Sequence, residues 1–309
     1  MKLSIVIPTY NEVENVSRLY AELTPVLKKL KDPHEIIYVD DGSTDGTRQK
    51  LRELHAKDKN VKVLLHRRNF GQTAAMDTGF KYAHGDIIIT MDADLQNDPA
   101  DIPRLLAKME EGYDVVSGWR KNRQDPISKK LLSKLAGFLR RLMTREKIHD
   151  SGCTLKAYRK ECFAGLDLYG EMHRYIPAIL TWRGFRVGEI VVNHRARQFG
   201  KTKYGMRRLF RGFLDLLVVK FWMQYSSRPI HLFGGLGLWC FGLGFISGLY
   251  LVIRKFFYAE AIANRPLLML VVLLLILGVQ FFGMGVMTDA LTKIYYRNAP
   301  ISRVGETLE

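Results

Sequence analysis

Hydrophobic positions in the first 120 residues come in short runs, each closed by polar or turn-forming residues. Leu3 to Ile7 is apolar and stops at Pro8. Glu35 to Val39 ends in Asp40-Asp41-Gly42-Ser43, and Val61 to Leu65 leads into Asn69-Phe70-Gly71-Gln72. Ile87 to Met91 ends in Asp92-Ala93-Asp94, and Asp114 to Ser117 closes the series at Gly118-Trp119-Arg120. Runs of this length bounded by turn formers predict buried strands of a parallel sheet. The stretches between them accommodate helices: from Thr9-Tyr10-Asn11-Glu12 to about Leu30, from Asp45 to Lys57 with Ser43 or Thr44 as cap, from Gln72 to Ala83, and from Pro99 to Glu111. This alternation predicts a doubly wound, mostly parallel α/β sheet.

Four of the strands end in polar clusters: Thr9, Asn11 and Glu12; Asp40 and Asp41; Asn69 and Gln72; Asp92, Asp94 and Gln96. In an open α/β sheet these fall on the carboxyl edge, where ligands bind. Asp92 and Asp94 are the informative pair. Two carboxylates forced together at a strand end repel unless a cation joins them, and a hard divalent ion bridging to a diphosphate satisfies both. A lone D-x-D also suits a solvated turn; polar clusters at four successive strand ends weigh for a ligand site. No G-x-G-x-x-G follows the first strand, which argues against a dinucleotide-binding dehydrogenase. Asp41 and Glu12 suit hydrogen bonds to a base and ribose. Asp94 with Gln96 suits Mg2+ or Mn2+, whose work would be to stabilise a departing nucleoside diphosphate.

Beyond Arg120 the pattern turns helical. Pro126 to Lys147 carries Ile127, Leu131, Leu135, Phe138 and Leu142 on one face and Lys130, Lys134 and Arg141 mostly off it. That fits a helix on a membrane surface and equally one packed on its own domain. Asp150-Ser151-Gly152-Cys153 opens an extended segment containing Lys156 and Arg159, and Phe185 to Val192 reads as a strand. Met206 to Tyr225 is a second amphipathic helix, read as interfacial because an apolar stretch follows it. Pro229 to Ile253 holds no Asp, Glu, Lys or Arg over 25 residues, and Pro266 to Thr288 none over 23. Each stretch suffices to cross a bilayer. Gly244 and Gly248 form a small-xxx-small pair that permits close helix packing.

The formal net charge of +16 asks for an anionic partner. The basic residues crowd beside the apolar stretches rather than interleaving with exposed aromatics, so anionic membrane lipids account for them better than nucleic acid does. The connector between the apolar stretches carries Arg254, Lys255 and Arg265, whereas the outer flanks carry Arg207, Arg208, Arg211, Lys220, Arg228, Lys293, Arg297 and Arg303. The positive-inside rule then places the catalytic domain and both termini in the cytoplasm of a multi-pass protein of the inner or plasma membrane. The expected division is a catalytic domain over 1–204, a juxtamembrane helix over 205–228, a two-helix transmembrane domain over 229–290 and a tail over 291–309. Cys153, Cys162 and Cys240 are too few and too scattered for a disulfide framework or a zinc site.

IPTYNE, VDDGSTDGT and DADLQNDP, in this order and spacing, resemble the family 2 inverting glycosyltransferases with the GT-A fold. GWR at 118–120, SGCTLKAYRK at 151–160, HRARQFGKTKY and two apolar stretches narrow the resemblance to polyprenyl-phosphate glycosyltransferases. Among these, NRQD at 122–125 and GCTLKAYR at 152–159 look most like the aminoarabinose branch. The resemblance implies a nucleotide-sugar donor and a polyprenyl phosphate acceptor, with Pro8, Tyr10, Glu12 and Asp41 lining the nucleoside site and Asp92 contacting the nucleotide. Asp94 and Gln96 would hold the metal and diphosphate. Arg120 and Arg197 would bind the acceptor phosphate, with Ser151 in the segment that approaches it and Lys156, or less favourably Arg159, standing for an arginine that relatives often carry a few residues later. It also implies a homo-oligomer, a tetramer. An ionised phosphate acceptor needs no general base, so Asp94, Arg120 and Arg197 would carry the chemistry. The alternatives are a family 2 enzyme acting on a hydroxyl acceptor and a non-catalytic nucleotide-sugar sensor. Against a processive polymerase, Thr181-Trp182-Arg183-Gly184 lacks the glutamine of a Q-x-x-R-W motif.

Overall fold

The structure is a computed structural model that describes residues 1–121, 148–195, 206–225, 228–259, 261 and 266–298, together with Gly137, Met143 and Thr144. Most of the expected helix over 126–147, Arg197, the 200–204 segment and the 299–309 tail lie outside the described residues. The chain divides into two compact units, Met1–Val219 and Lys220–Glu309.

The first unit is built on one sheet. Its strands are β1 (Leu3–Thr9), β2 (His34–Asp40), β3 (Val61–Leu65), β4 (Ile87–Thr90), β5 (Val115–Trp119), β6 (Lys156–Arg159) and β7 (Val187–Val191). Their order is β3-β2-β1-β4-β6-β5-β7. β1 pairs parallel with β2 and β4, β2 with β3, and β5 with β7. β6 runs antiparallel to both β4 and β5, with Ile88 opposite Tyr158 and Val116 opposite Ala157. The sheet is therefore mostly parallel, as expected, but the segment after Asp150 wedges between β4 and β5 in the reverse sense.

Helices α1 (Val16–Leu30), α2 (Thr47–Lys57), α3 (Gln72–Tyr82) and α4 (Ile102–Glu110) connect the strands. α1 buries Val16, Leu19, Leu23 and Leu27, a stripe at helical spacing that packs on Ile5, Ile7 and Ile36 in the main core. It starts four residues after Glu12, because 12–15 form a turn in which the Asn15 N–H donates to the Glu12 carbonyl at 3.0 Å. α3 sits tightly on the sheet at Gly79, where a Cβ would lie 2.3 Å from the Val6 side chain. Further on come the short α5 (Ile176–Trp182) and the long α6 (Met206–Tyr225), which exposes Leu214, Leu217 and Val218.

The second unit is a helix pair, α7 (Ile230–Phe257) and α8 (Pro266–Asn298), both long and apolar enough to cross a membrane. The helices touch at Gly237, where a Cβ would lie 2.8 Å from the Gly278 carbonyl oxygen. Gly244 and Gly248 continue the contact against Leu275 and Val271. Trp239 and Phe256 point outward, more than seven-tenths exposed.

Candidate active site

The carboxyl ends of β1, β2, β3 and β4 form one polar edge, tied together by side chains from neighbouring loops. After β1, Asn11 turns in the left-handed region (φ 55°), its N–H donates to Ser43 Oγ, and its Oδ1 accepts from the Thr44 N–H, both at 2.9 Å. Asn15 Nδ2 donates to Glu12 Oε2 at 2.5 Å. After β2, Asp40 is fully buried and pairs with Arg48 Nε at 2.7 Å. Asp41 accepts from the N–H groups of Phe70 and Gly71, both at 2.8 Å, and meets His66 Nδ1 at 2.9 Å. Gly42 (φ 78°) lets the loop after β3 approach so closely that a Cβ there would lie 2.5 Å from Asn69 N. Both Asp41 oxygens thus first shape the 66–71 loop; a nucleoside would meet a carboxylate already fixed by main-chain donors. Pro8 and Tyr10 flank the end of β1 beside this edge, both half-buried.

The loop after β4 is the tightest part of the edge. Asp92 Oδ1 accepts from Gln72 Nε2 at 2.9 Å, and Oδ2 from Thr154 Oγ1 at 2.7 Å. Asp94 is 5% exposed, and its Oδ1 accepts from the Gln96 N–H at 3.1 Å. Between them and Gln96 the chain passes through Leu95 at φ 63°, a conformation that a leucine adopts only when its surroundings enforce it. Burial first, then the charge of Asp94, push the Asp92 carboxyl up to about 6. Two enclosed carboxylates in mutual repulsion are the donor set a hard divalent cation requires. Among the described residues no group of three His, Cys, Asp or Glu makes a complete protein cage.

The other half of the site grows from β5. Arg120 pairs bidentately with Asp150, Nε to Oδ2 at 2.7 Å and Nη2 to Oδ1 at 3.0 Å, with the two side chains only 12% and 14% exposed. Burial works against the guanidinium charge, but the Asp150 carboxylate more than offsets it and holds Arg120 protonated above its ordinary value. Nη1 takes no part in that pair. Ser151 follows in the same turn, half-buried. Lys156, expected at the acceptor phosphate, is 2% exposed, and its ammonium donates to the carbonyls of Ser151, at 3.1 Å, and Cys153. Its place on β6, opposite both Thr90 and Ser117, turns the side chain into the protein rather than toward a lipid. Burial lowers the Lys156 pKa.

Residues 4–166 match the glycosyl transferase family 2 profile. The chain belongs to glycosyl transferase family 2. It is 42% identical over 303 residues to the dodecaprenyl-phosphate galacturonate synthase of Rhizobium johnstonii, covering 96% of this chain and 90% of that protein. It is 38% identical over 296 residues to the undecaprenyl-phosphate 4-deoxy-4-formamido-L-arabinose transferase of Klebsiella pneumoniae, covering 95% and 89%. Its fold is shared with glucosyl-3-phosphoglycerate synthase from Mycobacterium tuberculosis, solved with Mn2+ and UDP-glucose: TM-score 0.55 at 18% identity, over 71% of this chain and 78% of that one. The sheet is thus of the GT-A type.

This family 2 site contains partners that the sequence reading passed over. Gln72 was seen only as a polar strand end, and Thr154 and Asp150 only as parts of an extended segment. The 193–195 segment runs along the aspartate loop: Asn97 and His194 form a β-bridge, and the Arg195 N–H donates to the Gln96 carbonyl at 3.0 Å. Arg195 also pairs with Asp98 at 2.9 Å and with Glu22 at 2.5 Å. The H-R-A-R spelling placed basic residues here, but only the fold shows which strand ends they join.

Proposed function

We propose that the chain transfers a sugar from a uridine-linked nucleotide sugar to a polyprenyl phosphate, with inversion at the anomeric carbon. The observation that carries this reading is the loop at 150–155. Its Thr154 holds the donor-side Asp92, and its Asp150 holds the acceptor-side Arg120. One short turn therefore joins an acidic edge suited to a diphosphate with an arginine suited to a second phosphate.

Pro8, Tyr10, Glu12 and Asp41 would line the nucleoside, and Asp92 would orient the donor through its fixed carboxylate. Asp94 and Gln96 would hold Mg2+ or Mn2+, which when bound neutralises charge on the departing nucleoside diphosphate. Arg120, through Nη1, and Arg197 would bind the acceptor phosphate and draw it against the repulsion of the anionic donor. A phosphate monoester is ionised near neutral pH, so its oxygen attacks without a general base. The attack displaces the diphosphate in line, the new bond joins phosphate oxygen to the anomeric carbon, and no covalent enzyme intermediate forms. A hydroxyl acceptor would need a base, and Asp150 is engaged in its pair with Arg120.

The helix pair and α6 would keep the chain at a bilayer that supplies the acceptor. The charge asymmetry supports a cytoplasmic first unit and cytoplasmic termini. Gly235 and Gly242, with nothing packed against them among the described residues, leave α7 room for the helix contacts of a tetramer. The test is a donor screen with purified protein, Mn2+ or Mg2+ and undecaprenyl phosphate, including the uridine-linked forms of galacturonate and 4-formamido-arabinose. Lipid-linked product from one donor is expected. No product from any nucleotide sugar overturns the proposal in favour of a sensor.

A further inference from the structure

Lys156 is a buried cation that the mechanism above does not use. Its ammonium lies under the 150–155 turn and donates to the carbonyls of Ser151 and Cys153. Other contacts leave the same turn. Asp150 grips Arg120, the Gly152 backbone packs so close to that guanidinium that a Cβ would lie 3.3 Å from Nη2, and Thr154 donates to Asp92. Thr154 Oγ1 also lies 3.0 Å from Asn97 Oδ1, which accepts the Asp92 N–H at 3.0 Å. Without this donor the carbonyl of buried Cys153 would be left unsatisfied, and the half-buried Ser151 carbonyl would lose its tie to β6. β4 and β5 also hold the turn from beneath, Thr90 Oγ1 donating to the Thr154 carbonyl at 2.6 Å and the Gly118 N–H to the Leu155 carbonyl at 2.9 Å, while Lys156 supplies the donors to Ser151 and Cys153.

The geometry points to Lys156 as a positioning residue that pins the 150–155 turn, and thereby sets the distance between the Asp92 edge and Arg120. This rests on the transferase reading for its kinetic consequence but not for its structural one. The chemistry requires two anions to be held in line, and a displacement of about 1 Å in such an arrangement costs on the order of 100-fold in rate. Lys156 touches neither proposed substrate, so its loss would lower kcat and leave donor affinity in place.

The test uses the full chain in detergent, with Lys156→Met, Lys156→Gln, Thr154→Val and the Met/Val double variant. Hydrogen exchange, read by mass spectrometry, should speed up over 150–155 in Lys156→Met while β1, β2 and β4 keep wild-type protection. UDP affinity in Mn2+, by calorimetry, should stay within about threefold of wild type, a small change beside the roughly 100-fold fall in kcat. Thr154→Val, which removes a hydrogen bond to a carboxylate, should lose about 10- to 100-fold. The double variant should be no worse than the poorer single variant by more than about threefold, because both act through one turn. Lys156→Gln keeps donors for the carbonyls and should recover part of kcat; it replaces Lys156→Met if that variant does not fold. Wild-type exchange over 150–155 in the lysine variants, multiplicative losses in the double variant, or loss of UDP binding with kcat would each overturn the inference. A wild-type protein without turnover would sink the transferase reading alone, and the exchange pattern would still decide the role of Lys156.

Discussion

Arg120 has two jobs in this account, pairing with Asp150 and binding the acceptor phosphate, and the variants Arg120→Met and Asp150→Asn separate them. Both abolish a bidentate pair whose members are 12% and 14% exposed. Removing one member of a fully buried pair costs about 3–5 kcal/mol; residual solvent access brings this to roughly 2–3 kcal/mol for either variant. For a unit of the size of Met1–Val219, that is a fall in Tm of about 4–12 °C. Activity should diverge. Arg120→Met also removes a charge-assisted hydrogen bond to the acceptor, about 1.5–3 kcal/mol, so kcat/KM for polyprenyl phosphate should fall about 10- to 150-fold. Asp150→Asn keeps the guanidinium and loses only part of its orientation, about 1 kcal/mol or fivefold. The assay is lipid-linked product formation at subsaturating acceptor, beside thermal unfolding of each variant. Wild-type kcat/KM in Arg120→Met, or an equal loss in the two variants, would reduce Arg120 to a structural ion.

Three further outcomes are expected. Asp94→Asn should lower metal-stimulated kcat/KM by at least about 100-fold and bring UDP affinity in Mn2+ down to its metal-free level, read by calorimetry; an unchanged metal titration would remove Asp94 from the metal site. Burial alone would raise the Glu35 carboxyl, but hydrogen bonds from Lys62, Ser4 and the His84 N–H outweigh it and lower the pKa to about 2. A carboxyl depressed in the fold stabilises above its unfolded value and loses that contribution as pH falls toward about 2. Thermal unfolding from pH 5 to 2 should therefore fall more steeply in wild type than in Glu35→Gln. Gly237→Leu would drive a side chain into the Gly278 carbonyl and should lower the thermal stability of the helix pair in detergent, whereas Gly283→Leu, with nothing within 4 Å among the described residues, should not.

Much of the donor side was legible in the sequence because strand ends are local. An apolar run that stops in a carboxylate announces both the strand and its edge, and β1 to β4 lie within two residues of the expected bounds. Asp92, Asp94 and Gln96 needed no more than their spacing to be placed on one turn. The acceptor side was less legible because its contacts join distant segments. Nothing local says that Asp150 will clasp Arg120, that Thr154 will reach Asp92, or that β6 will enter the sheet backwards. Lys156 shows the limit most clearly. As a letter beside Arg159 and Lys160 it is one more surface cation, and only its register opposite Thr90 and Ser117 reveals that it points inward. Asp41 differs in kind: its position was right, but the main-chain donors of Phe70 and Gly71 that occupy it come from a loop whose closeness depends on Gly42.

In the proposed mechanism an ionised phosphate, not a hydroxyl, attacks the donor between the Asp92 edge and Arg120. The most direct measurement offers the purified chain one productive nucleotide sugar with undecaprenyl phosphate or undecaprenol, and reads product and anomeric configuration by NMR. Product should form from the phosphate alone, with configuration inverted relative to the donor. Turnover of the free alcohol at a comparable rate, or retained configuration, would rule that attack out.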